Sequence, residues 1–393
     1  MKILHIIDHF VPQMGYQETH LARVQSNKGH EVRVLTSNIL IDATNMYSAE
    51  NFNKNTQDGL SIEEGIEVMR LPVLFNFPFF NKPWITKLEE NIIDFKPDAI
   101  HLHGILSFTC IRVTNIKKEL PNTRFVFDDH MLFIAMRNNL VIPFYKFFKV
   151  FFSKKIRDNS DAIVAISEET VEFMEKMYGI PSDEIIMIPL GCDTKTFHND
   201  PKERIEIREN LGIEENDLVF CYAGKLIEEK GVDLLINAAL KLLYNGKKLK
   251  VLIVGPKDKK YFDSINNIIS SSPFEDSFIF IPAVPNNILF KYYSAADVCI
   301  WPKSCSISIL EAMSCENPVI LSNNSGVSNL ILNGVNGFVY PEGDLESLFK
   351  TMERFFEQKL RKQMASNSRC LLKNFDWDDI SDRFEKLYGE TNY

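Results

Sequence analysis

The 393-residue chain is predicted to fold as an α/β protein, with two Rossmann-like domains facing across a cleft. Three observations predict this. Short apolar runs alternate with helical patterns over most of the length, the signature of parallel sheets covered by helices on both faces. The alternation stops after Ile188-Pro189-Leu190-Gly191-Cys192-Asp193, passes through a polar stretch at 198–209 with no strand character, and starts afresh. Each half also places a glycine in the turn that follows its first strand, at Gly15 and at Gly224.

The first half yields strands at 3–7, 32–36, 66–71, 99–102, 125–127, 162–166 and 185–188. The second yields 218–222, 251–254, 278–281, 298–300, 319–321 and 337–339. The domains are therefore expected at 1–193 and 200–375. A closing segment, 376–393, is expected to carry a helix at 377–388. The polar segment 38–65 is expected as a long loop.

A chain this long exceeds one hydrophobic core and suits two. Hydrophobic residues make up 45% and charged residues 25% of it, and the net charge is −9. That balance fits a globular protein and argues against nucleic acid as the main ligand, because phosphate backbones select basic surfaces. The seven cysteines are scattered without a C-x-x-C pair. Cys110, Cys192, Cys221, Cys299 and Cys315 sit among apolar neighbours, as buried reduced thiols of a cytoplasmic protein would. Met1–Ile7 meets Asp8 too soon for a signal peptide and reads as a strand. No uncharged apolar run reaches the ~20 residues of a membrane span.

Gly15-Tyr16 follows strand one and precedes a helix whose apolar positions include Leu21 and Val24. Open parallel sheets bind ligands at the carboxyl ends of their strands, and a glycine there lets phosphate approach backbone N–H groups. A glycine that serves only the turn is the alternative. Lys225 follows the strand at 218–222, and Lys230-Gly231 opens the next helix. Two ammonium groups at that edge can neutralise a diphosphate without a metal, although surface lysines are more often merely solvated. In Trp301-Pro302-Lys303-Ser304-Cys305-Ser306-Ile307-Ser308-Ile309-Leu310-Glu311, a strand end runs through small residues into a helix. Ser306 or Ser308 is expected to cap that helix, the amides of Ile307 and Ser308 to hold phosphate, and Glu311 to accept both hydroxyls of a ribose. The plainer role for Glu311 is to favour the helix dipole.

With these residues in place, the chain resembles the retaining glycosyltransferases of family four, with the GT-B fold. The glycine turn, Gly29-His30-Glu31-Val32, Ile166-Ser167, Ile188–Asp193, Ala223-Gly224-Lys225, Lys230-Gly231, Val254-Gly255, Glu311-Ala312-Met313, Asn317-Pro318-Val319-Ile320 and Asn333-Gly334 with Asn336-Gly337-Phe338 match that pattern in order. The match runs from Met1 to about residue 350. The resemblance implies an acceptor-side domain at 1–193, a nucleotide-sugar domain at 200–375, and a final helix returning to the first domain. It makes Gly15, Tyr16, Lys225, Lys230, Ser306, Ile307, Ser308 and Glu311 donor-binding, and places a catalytic His130 against the donor sugar.

Two positions depart from the family. Lys225 stands where arginine is usual, which keeps the charge but loses the two-pronged geometry. Lys303 stands where the first of two glutamates, eight residues apart, is usual, and Glu311 is the second. All eight histidines lie at or before His198, so a reacting histidine must come from the first domain. His130 follows Phe127-Asp128-Asp129; His103, at the end of an earlier strand, is the further candidate. No H-x-E, H-E-x-x-H or Cys/His cluster occurs, so neither a metal nor a cofactor beyond the nucleotide sugar is expected.

One stretch points elsewhere. In Pro143–Lys155, Phe144, Phe147, Phe148, Phe151 and Phe152 fall on one helix face, with Lys146, Lys149, Lys154, Lys155 and Arg157 beside it. Such a helix can lie in a lipid interface or bury its rings on the sheet. The apolar segment 74–80 supports contact with the inner face of a membrane or with a lipid-linked acceptor. The expected function is sugar transfer from a nucleotide diphosphate to a glycan or lipid-linked acceptor in cell-surface polysaccharide synthesis. A nucleotide-sugar epimerase and a non-catalytic nucleotide-binding partner subunit are the rival readings.

Overall fold

The computed structural model describes residues 1–40, 54–77, 81–133, 142–303, 307–323 and 330–389. The chain forms two compact units: Met1–Leu190 together with the segment from Trp377 onward, and Gly191–Asp376. In the first unit the strands are β1 (Lys2–Ile7), β2 (Glu31–Ser37), β3 (Ile39–Leu40), β4 (Lys54–Asn55), β5 (Gly59–Glu63), β6 (Ile66–Leu71), β7 (Val73–Phe77), β8 (Lys82–Ile85), β9 (Ala99–His103), β10 (Arg124–Asp129), β11 (Ala162–Ala165) and β12 (Ile185–Met187). In the second they are β13 (Leu218–Ala223), β14 (Leu249–Val254), β15 (Phe278–Ile281), β16 (Val298–Trp301), β17 (Val319–Ser322) and β18 (Gly337–Tyr340).

The first unit is built on an eight-stranded sheet in the order β12-β11-β10-β9-β1-β2-β6-β5. All neighbours are parallel except β5, which runs antiparallel to β6. The second unit carries a six-stranded parallel sheet, β15-β14-β13-β16-β17-β18. In both, the strand order reverses beside the first strand of the unit, the place where open parallel sheets leave a crevice at their carboxyl ends. The α/β class and each of the thirteen expected strands are present.

The segment expected as a loop at 38–65 is different. Its residues 41–53 lie outside the described residues, but β3, β4 and β5 lie within the rest. Strand β5 pairs with β6 from Gly59 opposite Arg70 to Glu63 opposite Ile66. It is an edge strand with Leu60 and Ile62 exposed, so no buried face imposes an apolar alternation on its sequence. The stretch 198–209 turns helical from Pro201, where the Asp200 carboxylate accepts from the amides of Lys202 and Glu203.

Strand periodicity explains the first unit's core. Successive side chains alternate faces. Leu4, Ile6, Ile100, Leu102, Phe125 and Phe127 face one way and join an apolar cluster with Phe173, Met174 and Tyr178. Each is worth roughly 1.5–3 kcal/mol of burial. Residues of the opposite alternation, His5, His101 and Asp128, are equally buried. They are covered by helix Gln17–Asn27 and by the closing helix Trp377–Gly389, which pack on each other. The closing helix is held there by Lys28 to Asp382 and Glu385, by His30 to Glu385, and by stacking of Trp377 on His20 at 5.0 Å.

Candidate active site

The Gly15 turn has the geometry expected of it. Pro12–Met14 form one 3-10 turn, and Gly15 ends it at φ 62°, a left-handed conformation that suits glycine. Tyr16 is extended and leads into helix Gln17–Asn27 with no side-chain cap. The start of that helix is unusual in composition. Gln17, Glu18, Thr19 and His20 are buried in its first turn, and Gln25 is buried further along. Polar side chains are seldom buried without a partner or a task.

For Gln17 that partner is Asp128, at the end of β10. Its Oδ2 accepts from Gln17 Nε2 at 2.6 Å and pairs with His101 Nε2 and His103 Nδ1, each at 3.1 Å. His130 Nε2 stands 3.5 Å from the same oxygen, with its ring 37% exposed where Asp128 is fully buried. Burial works to raise the Asp128 carboxyl, but His103, His101 and His130 take it well below its ordinary value, so it is ionised. Burial opposes the charged form of His130, yet Asp128, with Glu18 and Asp129, raises its pKa. Asp128 Oδ1 and Gln17 Oε1 are buried without a hydrogen-bond partner among the described residues. The next residue, Asp129, points the other way. It accepts from the amides of Ile105 and Met131 and from the Tyr178 hydroxyl, which fixes the backbone on both sides of His130.

His5, His101 and His103 bring one ring nitrogen each within 4.8 Å of one another, near enough to suggest a metal. The ring planes argue otherwise. His101 stacks on His103 with centroids 4.2 Å apart, and lone pairs lie in the ring plane, so stacked rings do not converge on one ion. Elsewhere in the first unit, Gln13, Gln57, Asp58, Ser61, Glu63 and Arg70 contribute to the lining of a pocket of about 430 Å³.

The second unit carries the lysines. Strand β13 ends at Ala223, and Lys225 follows it, half-buried. Lys230 closes a 3-10 turn before Gly231, which at φ 65° is the left-handed N-cap of helix Val232–Tyr244. Burial, and then the charge of Lys230, lower the Lys225 ammonium to about 8. The Lys303 stem lies over Gly231, and its ammonium donates to the Glu228 carbonyl at 3.2 Å. That side chain is thus folded onto the lysine-bearing turn.

Glu311 lies in helix Ser308–Ser314 and is buried, accepting from Asn286 Nδ2 at 2.8 Å. Burial is the main cause that pushes its carboxyl up to about 7; Asn286 opposes this and Asp193 adds to it. Ser308 does not cap that helix. Ile307 occupies the cap position, no side chain bonds there, and Ser308 is the first helical residue. Ser306 lies outside the described residues. Within each unit the structure therefore gathers His103 with His130, and Lys225 with Lys230. Sequence reasoning missed Asp128, His5, His101, Gln17, Gln25 and Tyr388. The signals available were the i, i+2 pair His101 and His103, which strand geometry puts on one face, and the acid two residues before His130.

The helix at 142–151 divides its aromatic rings. Tyr145 and Phe148 are buried, and Phe144 and Phe152 pack partly against the core. Phe147, Val150 and Phe151 are 49%, 74% and 63% exposed. Leu74, Phe75 and Phe77 on β7 are exposed as well; 78–80 lie outside the described residues. Among the described residues no helix is long and apolar enough to cross a membrane.

The comparisons agree with this architecture. Residues 203–370 match the family model "Glycosyl transferases group 1", and residues 18–196 match "Glycosyltransferase Family 4". Among curated proteins, the chain is 24% identical over 253 residues to a lipopolysaccharide 1,2-N-acetylglucosaminetransferase of Salmonella typhimurium, covering 60% of this chain and 64% of that protein. It is 25% identical over 242 residues to a D-inositol 3-phosphate glycosyltransferase of Xylanimonas cellulosilytica, covering 59% and 57%. The match thus spans less than two thirds of the length of these relatives. Among solved structures, a sucrose-phosphate synthase of Thermosynechococcus elongatus superposes with TM-score 0.75 at 18% identity, over 99% of this chain and 98% of that one. Anabaena HepE in complex with UDP does so with TM-score 0.76 at 17% identity, over 98% and 99%. The chain belongs to the group 1 glycosyltransferases of the GT-B fold.

Proposed function

We propose that the protein is a retaining, metal-independent glycosyltransferase that takes its sugar from a nucleoside diphosphate. The observation that carries this reading is the Lys225–Lys230 pair. Burial and the charge of Lys230 both disfavour the Lys225 ammonium, and a diphosphate bound beside the two lysines would favour it. Their place beyond β13, at the carboxyl edge of a parallel sheet, is where such a ligand binds. HepE, which shares the fold, has been solved with UDP-glucose.

In this reading Lys225, Lys230 and the amides of Ile307 and Ser308 hold the diphosphate, and Glu311 accepts the ribose hydroxyls. The family resemblance makes the Gly15–Tyr16 turn donor-binding and gives His130 the role of positioning the sugar. The bond from C1 to the phosphate oxygen breaks, and its electron pair leaves on the diphosphate, where the lysine charges stabilise it. The acceptor hydroxyl attacks from the face the leaving group vacates and passes its proton to a phosphate oxygen. A net transfer of one sugar and one proton results.

The pocket at Gln13 and Arg70 suits the hydroxyls of a glycan or lipid-linked acceptor. The exposed Phe147, Val150 and Phe151, with Lys146 and Lys154 nearby, suit peripheral contact with an anionic membrane at the cytoplasmic face, where cell-surface polysaccharide is assembled. The testing experiment is a thermal-shift panel of nucleotide sugars on wild type and Lys230→Ala. A ligand that binds the folded state raises the melting temperature. At least one nucleotide sugar should stabilise wild type and fail to stabilise the variant. No stabilisation by any of them, or equal stabilisation of both proteins, would remove the proposal.

A further inference from the structure

Beneath His130 the hydrogen bonds close into a ring. Asp128 Oδ2 pairs with His101 Nε2 at 3.1 Å, and His101 Nδ1 with the Tyr388 hydroxyl at 2.7 Å. Tyr388 accepts from Gln25 Nε2 at 3.4 Å, and Gln25 Oε1 pairs with His5 Nε2 at 2.8 Å. His5 Nδ1 meets His103 Nε2 at 3.0 Å, and His103 Nδ1 returns to Asp128 Oδ2 at 3.1 Å. Six residues from β1, β9, β10 and two helices thus form one closed circuit, and all six are buried or nearly so.

The circuit can be solved for its protons. Ionised Asp128 only accepts, so His101 and His103 each donate to it. A neutral His101 must then accept at Nδ1, which takes the Tyr388 proton. Tyr388 is left to accept from the Gln25 amide, and this turns the Gln25 carbonyl toward His5. His5 must donate from Nε2 and accept at Nδ1. His103 therefore donates at both nitrogens. Three imidazoles hold four N–H bonds, one more than three neutral rings contain. Burial lowers His5 far below its ordinary value and His101 to about 4, so neither ring is the one that carries the charge.

We propose that His103 is a buried imidazolium locked in place by this ring, and that it acts as a positioning residue by neutralising Asp128 and so setting the charge that His130 feels. The groups that face it are His5 from β1, His101 beside it, Asp128 and His130 from the end of β10, Glu18 from the first helix, and, through His101, Tyr388 from the closing helix. The far side of the ring controls the near side. Without the Tyr388 hydroxyl, the Gln25 amide is free to turn over and donate to His5. His5 then donates to His103, which no longer needs its second proton. The Asp128 charge then falls on His130 alone.

The link to catalysis rests on the function proposed above; the protonation state does not. Nitrogen-15 NMR of histidine-labelled protein near neutral pH should show two protonated nitrogens on His103 and one each on His5 and His101. An unprotonated nitrogen on His103 in wild type, or a stoichiometric divalent metal in the purified protein, would overturn the ring. In Tyr388→Phe, His103 should show one N–H, and the limb of the transfer pH profile belonging to His130 should move up by roughly one unit, the size expected for one charge lost several ångströms away in a partly wet site. Two N–H bonds kept on His103 in that variant, or an unmoved limb, would overturn the coupling. A wild type without transfer activity would defeat the functional reading while leaving the NMR result standing.

Discussion

Raising the pH from 7 to 9 should weaken donor binding through one side chain. In the empty protein, burial and the neighbouring Lys230 hold the Lys225 ammonium at about 8. A bound diphosphate supplies two negative charges to that turn and favours the ammonium, so binding is coupled to proton uptake above that pH. If the complex keeps Lys225 charged throughout, the apparent Kd grows with the fraction deprotonated in the free protein. At pH 7 that fraction is about a tenth. At pH 9 it is about nine tenths, and Kd rises roughly tenfold, about 1.4 kcal/mol. Below pH 7 this source contributes nothing. The assay is calorimetric titration of a nucleotide sugar in buffers of different ionisation enthalpy, which reads affinity and proton uptake together. Lys225→Arg is the control, because a guanidinium stays charged across the range, and it also subtracts any titration of the base. A Kd that stays flat from pH 7 to 9, or the same slope in the arginine variant, would refute the reasoning.

Four further outcomes follow from the same geometry. Glu311, pushed up to about 7 by burial, should hold ribose hydroxyls less well as pH falls below that value; Glu311→Gln should bind several-fold more weakly at pH 8 and lose this acid dependence, as read by the same titration. His130→Ala should lower turnover by roughly 10²–10⁴ in a radiolabelled-sugar transfer assay, while nucleotide affinity changes by less than about threefold. Phe151→Asp, at a 63% exposed position, should leave the melting temperature within a few degrees of wild type and reduce sedimentation with anionic lipid vesicles. Gly255→Ala should destabilise the second unit by roughly 2–4 kcal/mol in urea unfolding. At φ 147° an added Cβ would lie 2.0 Å from the Gly224 carbonyl oxygen, so the backbone leading to Lys225 must move.

The sheets were legible because strands buried on both faces read as near-continuous apolar runs, such as Leu218–Ala223. Strand β5 was not, because Leu60 and Ile62 on it are exposed and do not mark a buried face. Lys225, Lys230 and Glu311 stood out by position, at strand ends and a helix start, which local sequence reveals. The Ser308 cap failed for a local reason: the helix begins at Ser308 itself, one residue earlier than a Ser308 cap requires, with Ile307 at the boundary. The ring beneath His130 was hidden for a different reason. Its members are His5, Gln25, His101, His103, Asp128 and Tyr388, and only the fold brings them together. Besides the His101–His103 pair and the acid before His130, a helix opening on Gln17, Glu18, Thr19 and His20, all buried, was a further trace, recognisable only once burial is known.

The most direct measurement is a crystal structure of the protein soaked with a UDP or GDP sugar. The account predicts that the diphosphate oxygens lie within hydrogen-bonding reach of the Lys225 and Lys230 ammonium groups, with the ribose hydroxyls on Glu311. A diphosphate bound with both lysines pointing into solvent would contradict it.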